Sequence, residues 1–254
     1  MKSFFLKSLM AVSFSASSLL AHFGVVIPSA NVVENEEQAK LQITYKFTHP
    51  FEQMMMNMAK PNEAGVFING KKTDLMPSLK EQKDGQNSYW QSEFEIKEPG
   101  LYVFYADPQG YFEPSEEKFI RHITKSVVNA YGYGDGWGEP VGLKAEIVPL
   151  TRPYALYAGM SFNALVLYNG KPVKNAVVEV EFMNEGKKLS APSEDHITLE
   201  VRTNELGEFS FTMPRAGWWG FSAILDDDEK MSREGKEYPV ELGAVIWVKA
   251  DEFK

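Results

Sequence analysis

The 254-residue sequence predicts an all-β protein: two immunoglobulin-like or transthyretin-like β-sandwich domains behind a signal peptide. Three observations carry this. Apolar and polar residues alternate with a period of two over many short runs. Asn-Gly, Pro-Gly and similar turn signals separate those runs. The chain has no cysteine but is 13% aromatic, so it must rely on a packed core rather than on disulfides.

The order along the chain follows from these signals. Lys2 and Lys7 form a positive n-region, and residues 8–21 are small or apolar and uncharged. That is the pattern of a signal peptide spanning 1–21, too short to cross a bilayer. Ala21 suits the −1 position of a cut before His22; Leu19 suits −3 less well, and a cut after Ser17 competes. No cysteine follows for a lipid anchor, and no later stretch is long and apolar enough to span a membrane.

The mature chain divides into an N-terminal domain over 22–144 and a C-terminal domain over 145–254. In the first, residues 41–49 alternate Leu41, Ile43, Tyr45 and Phe47 against polar partners, and Pro50 stops the run after His49. Ala64 to Ile68 closes on Asn69-Gly70, a hairpin signal. Trp90, Phe94 and Ile96 alternate, Leu101 to Ala106 follows, and Lys118 to Ala130 resumes as a strand with Ile120, His122, Thr124 and Val128 on one face. Tyr131 to Gly138 is a glycine-rich loop without the Lys-Ser/Thr of a phosphate loop. In the second domain, strands are expected over 160–168, 173–182, 197–203, 208–213, 218–225 and 240–249, with turn signals between most of them. Trp218-Trp219 is expected in the sandwich core or in interdomain packing, and Asp226 to Glu229 as a solvated loop without the spacing of a Ca²⁺ loop.

Charge limits the partners. The chain holds 35 acidic and 26 basic residues, net −9, and losing Lys2 and Lys7 with a leader makes it more negative still. Such a surface suits neither nucleic acid nor an anionic membrane. It is compatible with a cation. Without thiolates, a transition-metal site must use His, carboxylate, Met or backbone nitrogen.

Cleavage before His22 would put two nitrogens on one residue, the α-amine and the imidazole, and the pair can chelate an ion without help from the fold. His49 and His122 lie on predicted strands of the same half. With them the set reaches four nitrogens, which in a plane favour Ni²⁺ or Cu²⁺ over Zn²⁺. Copper binds such sets more tightly than nickel, so affinity alone does not name the metal. Taken singly, a strand histidine is more often a core or surface residue than a ligand. His196, in Ser193-Glu194-Asp195-His196, is expected at the surface. Met54, Met56 and Met58 are expected to fill the core or lid the site rather than cradle Cu(I). Glu113, Glu116 and Glu117 are expected on a solvated face, with completion of the coordination as the alternative. No nucleophile elbow, zinc-protease helix or kinase element is present, so no enzyme is expected. A copper oxidase with an N-terminal histidine brace and a metal-free structural sandwich are the alternatives.

Two resemblances add to this. Asn169-Gly170-Lys171-Pro172-Val173-Lys174-Asn175-Ala176 with Thr203-Asn204-Glu205-Leu206-Gly207 resembles transthyretin-like or Cna-B-like modules, which speaks to fold alone. Ala21-His22-Phe23-Gly24, Phe47-Thr48-His49-Pro50-Phe51, Tyr111-Phe112-Glu113-Pro114, Lys118-Phe119-Ile120-Arg121-His122, Pro214-Arg215-Ala216-Gly217-Trp218-Trp219 and Glu241-Leu242-Gly243-Ala244 recur in order. This set resembles the periplasmic nickel-uptake family of NikK type, which accompanies energy-coupling-factor nickel importers. The resemblance implies a periplasmic protein that binds Ni²⁺, with Cu²⁺ as the alternative ion, and serves a membrane nickel permease. It puts the metal on His22, His49 and His122. Arg121 departs from the pattern, but strand parity turns it to the opposite face.

Overall fold

A computed structural model describes residues 21–253. The expected leader, with Lys2, Lys7 and the competing cut at Ser17, lies outside the described residues. What is described is built from strands, with only short 3₁₀ turns between them, so the all-β expectation holds.

Thirteen strands carry the architecture: β1 (Phe23–Pro28), β2 (Lys40–His49), β3 (Glu63–Ile68), β4 (Asn87–Glu95), β5 (Gly100–Asp107), β6 (Tyr111–Glu113), β7 (Lys118–Ala130), β8 (Ala145–Pro149), β9 (Ser161–Tyr168), β10 (Val177–Phe182), β11 (Glu208–Thr212), β12 (Gly217–Asp226) and β13 (Val240–Asp251). Asn69 and Gly70 close the turn after β3 with positive φ of 48° and 74°, as a tight hairpin requires. The return strand expected from Val173 begins at Val177, because Lys171–Pro172 pairs back on β9 first.

The largest sheet runs through both halves of the chain. Its central order is β10-β12-β13-β7-β5-β3. The join is β13 against β7, a parallel pairing that sets Gly243 beside His122 and Val245 beside Thr124. The border expected at 144/145 falls in the connection from β7 to β8, while the sheet continues across it. The two faces of this sheet carry different layers. Toward one lie β1, β2 and β4, packed through Ile43, Tyr45, Val66, Phe104, Ile120 and Val128. Toward the other lie β8, β9 and β11, packed through Ile147, Phe162, Val166, Phe221, Ala244 and Ile246. The two-residue period on each middle strand assigns alternate residues to the two cores. Trp219 is buried in the second core, as expected of Trp218-Trp219, and Trp218 packs beside Phe23 and Trp247.

Two ion-pair clusters fix the layers. Lys125, on the odd face of β7, meets Glu146 of β8 at 2.6 Å with both side chains almost fully buried. Glu146 also accepts from the backbone N–H groups of Val141, Gly142 and Leu143. The carboxylate thus satisfies four donors that burial would otherwise leave unpaired, and these hold it below the usual carboxylate range despite burial. The stretch Asp226 to Glu229 is the solvated loop expected, with Asp226, Asp228 and Glu229 exposed and only the Asp227 carboxylate covered. Asp227, Asp228 and Glu229 converge on Lys144 at 2.7, 3.3 and 3.1 Å, and Tyr168 donates to Asp228.

Strand β1 positions the site. It is an edge strand paired on one side with β2. On its other side, side chains of the middle sheet take up its backbone groups. Trp247 Nε1–H donates to Gly24 O at 2.8 Å, Ser126 Oγ donates to Val26 O at 2.6 Å, and Gly24 N–H donates to His122 Nδ1 at 3.4 Å. An edge that would otherwise be open is thereby closed. The approach is close. A Cβ on Gly24 would lie 2.3 Å from Thr124 Oγ1 and 2.9 Å from His122 O, so only glycine lets β1 lie against β7.

Candidate metal centre

The register of β1 on β2 builds the first half of the site. Phe23 pairs with Thr48 and Gly24 with Phe47, so one step further His22 faces His49 across the strands. Directly opposed side chains share a face, and the two rings meet edge-on with centroids 4.7 Å apart. The third group comes from β6, which pairs with β7 so that Tyr111 faces Ile120 and Glu113 faces Lys118. That parity turns Tyr111 and Glu113 to the same side as His122. Glu113 reaches His22 Nε2 at 3.6 Å. Its carboxyl lies below the usual range, mainly because Ser115 hydrogen-bonds to it.

Electrostatics keeps the two rings neutral. His49 is buried, and burial followed by the proximity of His22 lowers its pKa to about 4, against a smaller opposing pull from Glu113. Burial and then His122 lower His22 as well. A cation requires unprotonated nitrogen, and this pocket favours that form. His49 Nδ1 is buried with no hydrogen-bond partner. Buried polar atoms are nearly always paired, so a nitrogen left open beside a second imidazole and a carboxylate fits a cation.

His122 forms the second half. It is 1% exposed, in a niche walled by two glycines. Gly24 lies over its Cβ, and a Cβ on Gly243 would sit 2.4 Å from His122 Cδ2 and 2.8 Å from Nε2. Nε2 has no hydrogen-bond partner; Glu241 is the nearest carboxylate, at 3.9 Å, beyond hydrogen-bonding reach. Burial alone would raise Glu241, but His122 and Lys118 beside it bring its pKa to about 2. In the neutral ring the contact from Gly24 N–H puts the proton on Nε2. For Nε2 to take a cation, the proton must move to Nδ1, which costs only a long 3.4 Å contact.

The structure brings His22, His49 and Glu113 together and sets Glu241 beside His122. Phe47 touches both groups, its centroid 5.6 Å from that of His22 and 5.9 Å from that of His122. Among the described residues no group of three or more His, Cys, Asp or Glu side chains stands in a metal-holding arrangement.

The other sequence candidates separate from the site. His196 takes a local bond with Ser193 Oγ at 2.8 Å. Met54 is exposed while Met56 and Met58 join the core, so the three do not line one face. Glu116 pairs with Lys118 and Glu117 with Lys236. Arg121 turns away and grips Asp107 at 2.7 Å. Sequence reasoning missed Glu241, Gly243 and Phe47. No local signal marks the first two, because a strand more than a hundred residues away brings them to His122. Phe47 shares its parity with His49 and reads as ordinary core.

What fold and site define is an all-β protein that gathers imidazole and carboxylate groups where an edge strand begins. The chain belongs to the family described as a domain of unknown function (DUF4198), matched over residues 19–227. No curated protein matches it. Among solved structures it is similar to the D0-D1 domain of Intimin, at 14% identity, covering 91% of this chain and 100% of that one, TM-score 0.25. It is also similar to domains A168-A170 from titin, at 12% identity over 90% and 68%, TM-score 0.23. A third is trypsin-activated alpha-2-macroglobulin from Escherichia coli, at 9% identity over 91% and 16%, TM-score 0.24.

Proposed function

We propose that this protein is a periplasmic carrier of Ni²⁺, of the NikK type, which passes its ion to an energy-coupling-factor nickel permease and catalyses no reaction. The observation that carries the proposal is the open, buried Nδ1 of His49 against the His22 ring, one residue beyond the end of the leader pattern. Cleavage before His22 frees its α-amine, which titrates near ~8. That amine and the two neutral imidazoles are nitrogen donors suited to Ni²⁺ or Cu²⁺, and His122 is the fourth. Glu113 adds a carboxylate that offsets the ion's charge and can hold an imidazole by its second nitrogen.

Calorimetric titration with Ni²⁺ tests this, using exported protein whose N-terminus has been established by mass. One saturable site is expected, weakened at least tenfold by His22→Ala and by His49→Ala. Absence of heat with both Ni²⁺ and Cu²⁺ would leave a metal-free structural module. Tight Cu²⁺ binding with reductant-driven cleavage of a polysaccharide would mark the histidine-brace oxidase instead.

A further inference from the structure

Resting on the carrier reading, we propose that Asn184 and Glu181, at the end of β10 in the C-terminal half, are positioning residues for His49: they fix the turn that follows it and so hold its ring against His22. His49 closes a hairpin. It pairs with Met54, and Pro50, Phe51, Glu52 and Gln53 make the turn between them. The returning strand, Met54–Met55, is two residues long, and the pairing of β2 with β4 ends at Tyr45, short of His49. A hairpin this short is marginal by itself, so the place of its tip depends on what grips it from outside.

The C-terminal half supplies the grip. Asn184 N–H donates to Pro50 O at 3.2 Å, and Asn184 Nδ2–H donates to Phe51 O at 3.1 Å. Phe51 N–H donates to Glu181 Oε2 at 3.3 Å, and Gln53 Nε2–H to Met183 Sδ at 3.1 Å. The two anchors are themselves held: Asn184 Oδ1 accepts from Leu189 N–H at 3.0 Å, and Glu181 accepts from Thr198. Glu181 is 0% exposed and Asn184 3%, so losing these bonds would strand polar groups that water does not reach. A metal-binding set needs its donors held to about 0.5 Å. Asn184 and Glu181 contribute no ligand; they act through the backbone that carries His49.

A double-mutant cycle on Ni²⁺ affinity, measured by competition titration of the exported protein, tests this. Asn184→Ala should weaken Ni²⁺ binding about three- to tenfold, the worth of one net hydrogen bond. In a His49→Ala background the same change should leave the remaining affinity unaltered, because Asn184 acts through His49. A merely structural role would lower the melting temperature and weaken both backgrounds alike. In the metal-free protein, the nuclear Overhauser contact between the His22 and His49 rings, whose centroids lie 4.7 Å apart, should fade in Asn184→Ala. If that variant does not fold, Gln53→Ala loosens the same turn from its own side and should act in the same direction on both readouts. Wild-type affinity in the variant, equal losses in the two backgrounds, or an undiminished Overhauser contact overturns the positioning role and leaves the carrier standing. Failure of the wild-type protein to bind Ni²⁺ at all overturns both.

Discussion

Gly243→Ala tests the way His122 is housed. The added Cβ would lie 2.4, 2.7 and 2.8 Å from His122 Cδ2, Cγ and Nε2, where ordinary carbon contacts are ~3.5–4.0 Å. Relief requires the imidazole to leave its niche or β13 to part from β7, and those strands are joined by eight paired positions from Phe119 to Ser126. Overpacking of this kind costs about 1–3 kcal/mol. For a domain of ~150–250 residues, each kcal/mol lowers the melting temperature by about 2–4 °C. Thermal unfolding should therefore fall by about 2–12 °C. The decisive comparison is the double variant His122→Ala/Gly243→Ala, in which the clash has no second partner. It should be less destabilised than the two single changes added together, since residues in contact couple. Strict additivity, or an unchanged melting temperature in Gly243→Ala, would refute the niche.

Other outcomes follow from the same contacts. Lys125→Ala strands the Glu146 carboxylate in the core and should cost about 3–5 kcal/mol in denaturant unfolding; a cost under 1 kcal/mol would show that the pair is not buried in solution. Glu181 is fully buried, and burial raises its carboxyl from an ordinary 4.5 to about 7. The folded state thus holds the proton more tightly than the unfolded one. The contribution is fully present below pH ~4.5 and is lost as pH rises through about 7, up to about 3 kcal/mol in all. Glu181→Gln should flatten that loss in unfolding curves recorded from pH 5 to 9, and an identical pH slope in the variant would contradict it. Glu113→Gln keeps the shape but removes the charge 3.6 Å from His22, and should weaken Ni²⁺ binding about two- to tenfold in a competition titration; unchanged affinity would remove Glu113 from the site.

Local patterns made much of the fold legible. The strand expected over Lys118 to Ala130 has those bounds, and the run from 41 to 49 alternates as its side chains do. The pairing of β13 with β7 was not legible, because strands that meet in parallel far along the chain leave no turn between them to read. For that reason the sharing of one sheet by both halves, and the roles of Gly243 and Glu241, emerge only from the structure. The acidic run at 226–229 is solvated as its composition suggests, but its counter-charge, Lys144, was not legible because it lies some eighty residues earlier. Within the site, the place of His22 after the leader pattern made it a candidate, the family resemblance implied His49 and His122 beside it, and Glu113 was visible as a spare carboxylate. The contact of Phe47 with both His22 and His122 was not, since an aromatic residue on the apolar parity of a strand carries no mark of what its ring touches.

The most direct measurement compares two forms of the protein, one beginning at His22 and one retaining Ala21 ahead of it, by calorimetric titration with Ni²⁺. The extra residue turns the amine of His22 into an amide and leaves every side chain in place. The carrier account predicts affinity at least tenfold weaker in the longer form, about 1.4 kcal/mol. Equal affinity in the two forms would contradict it.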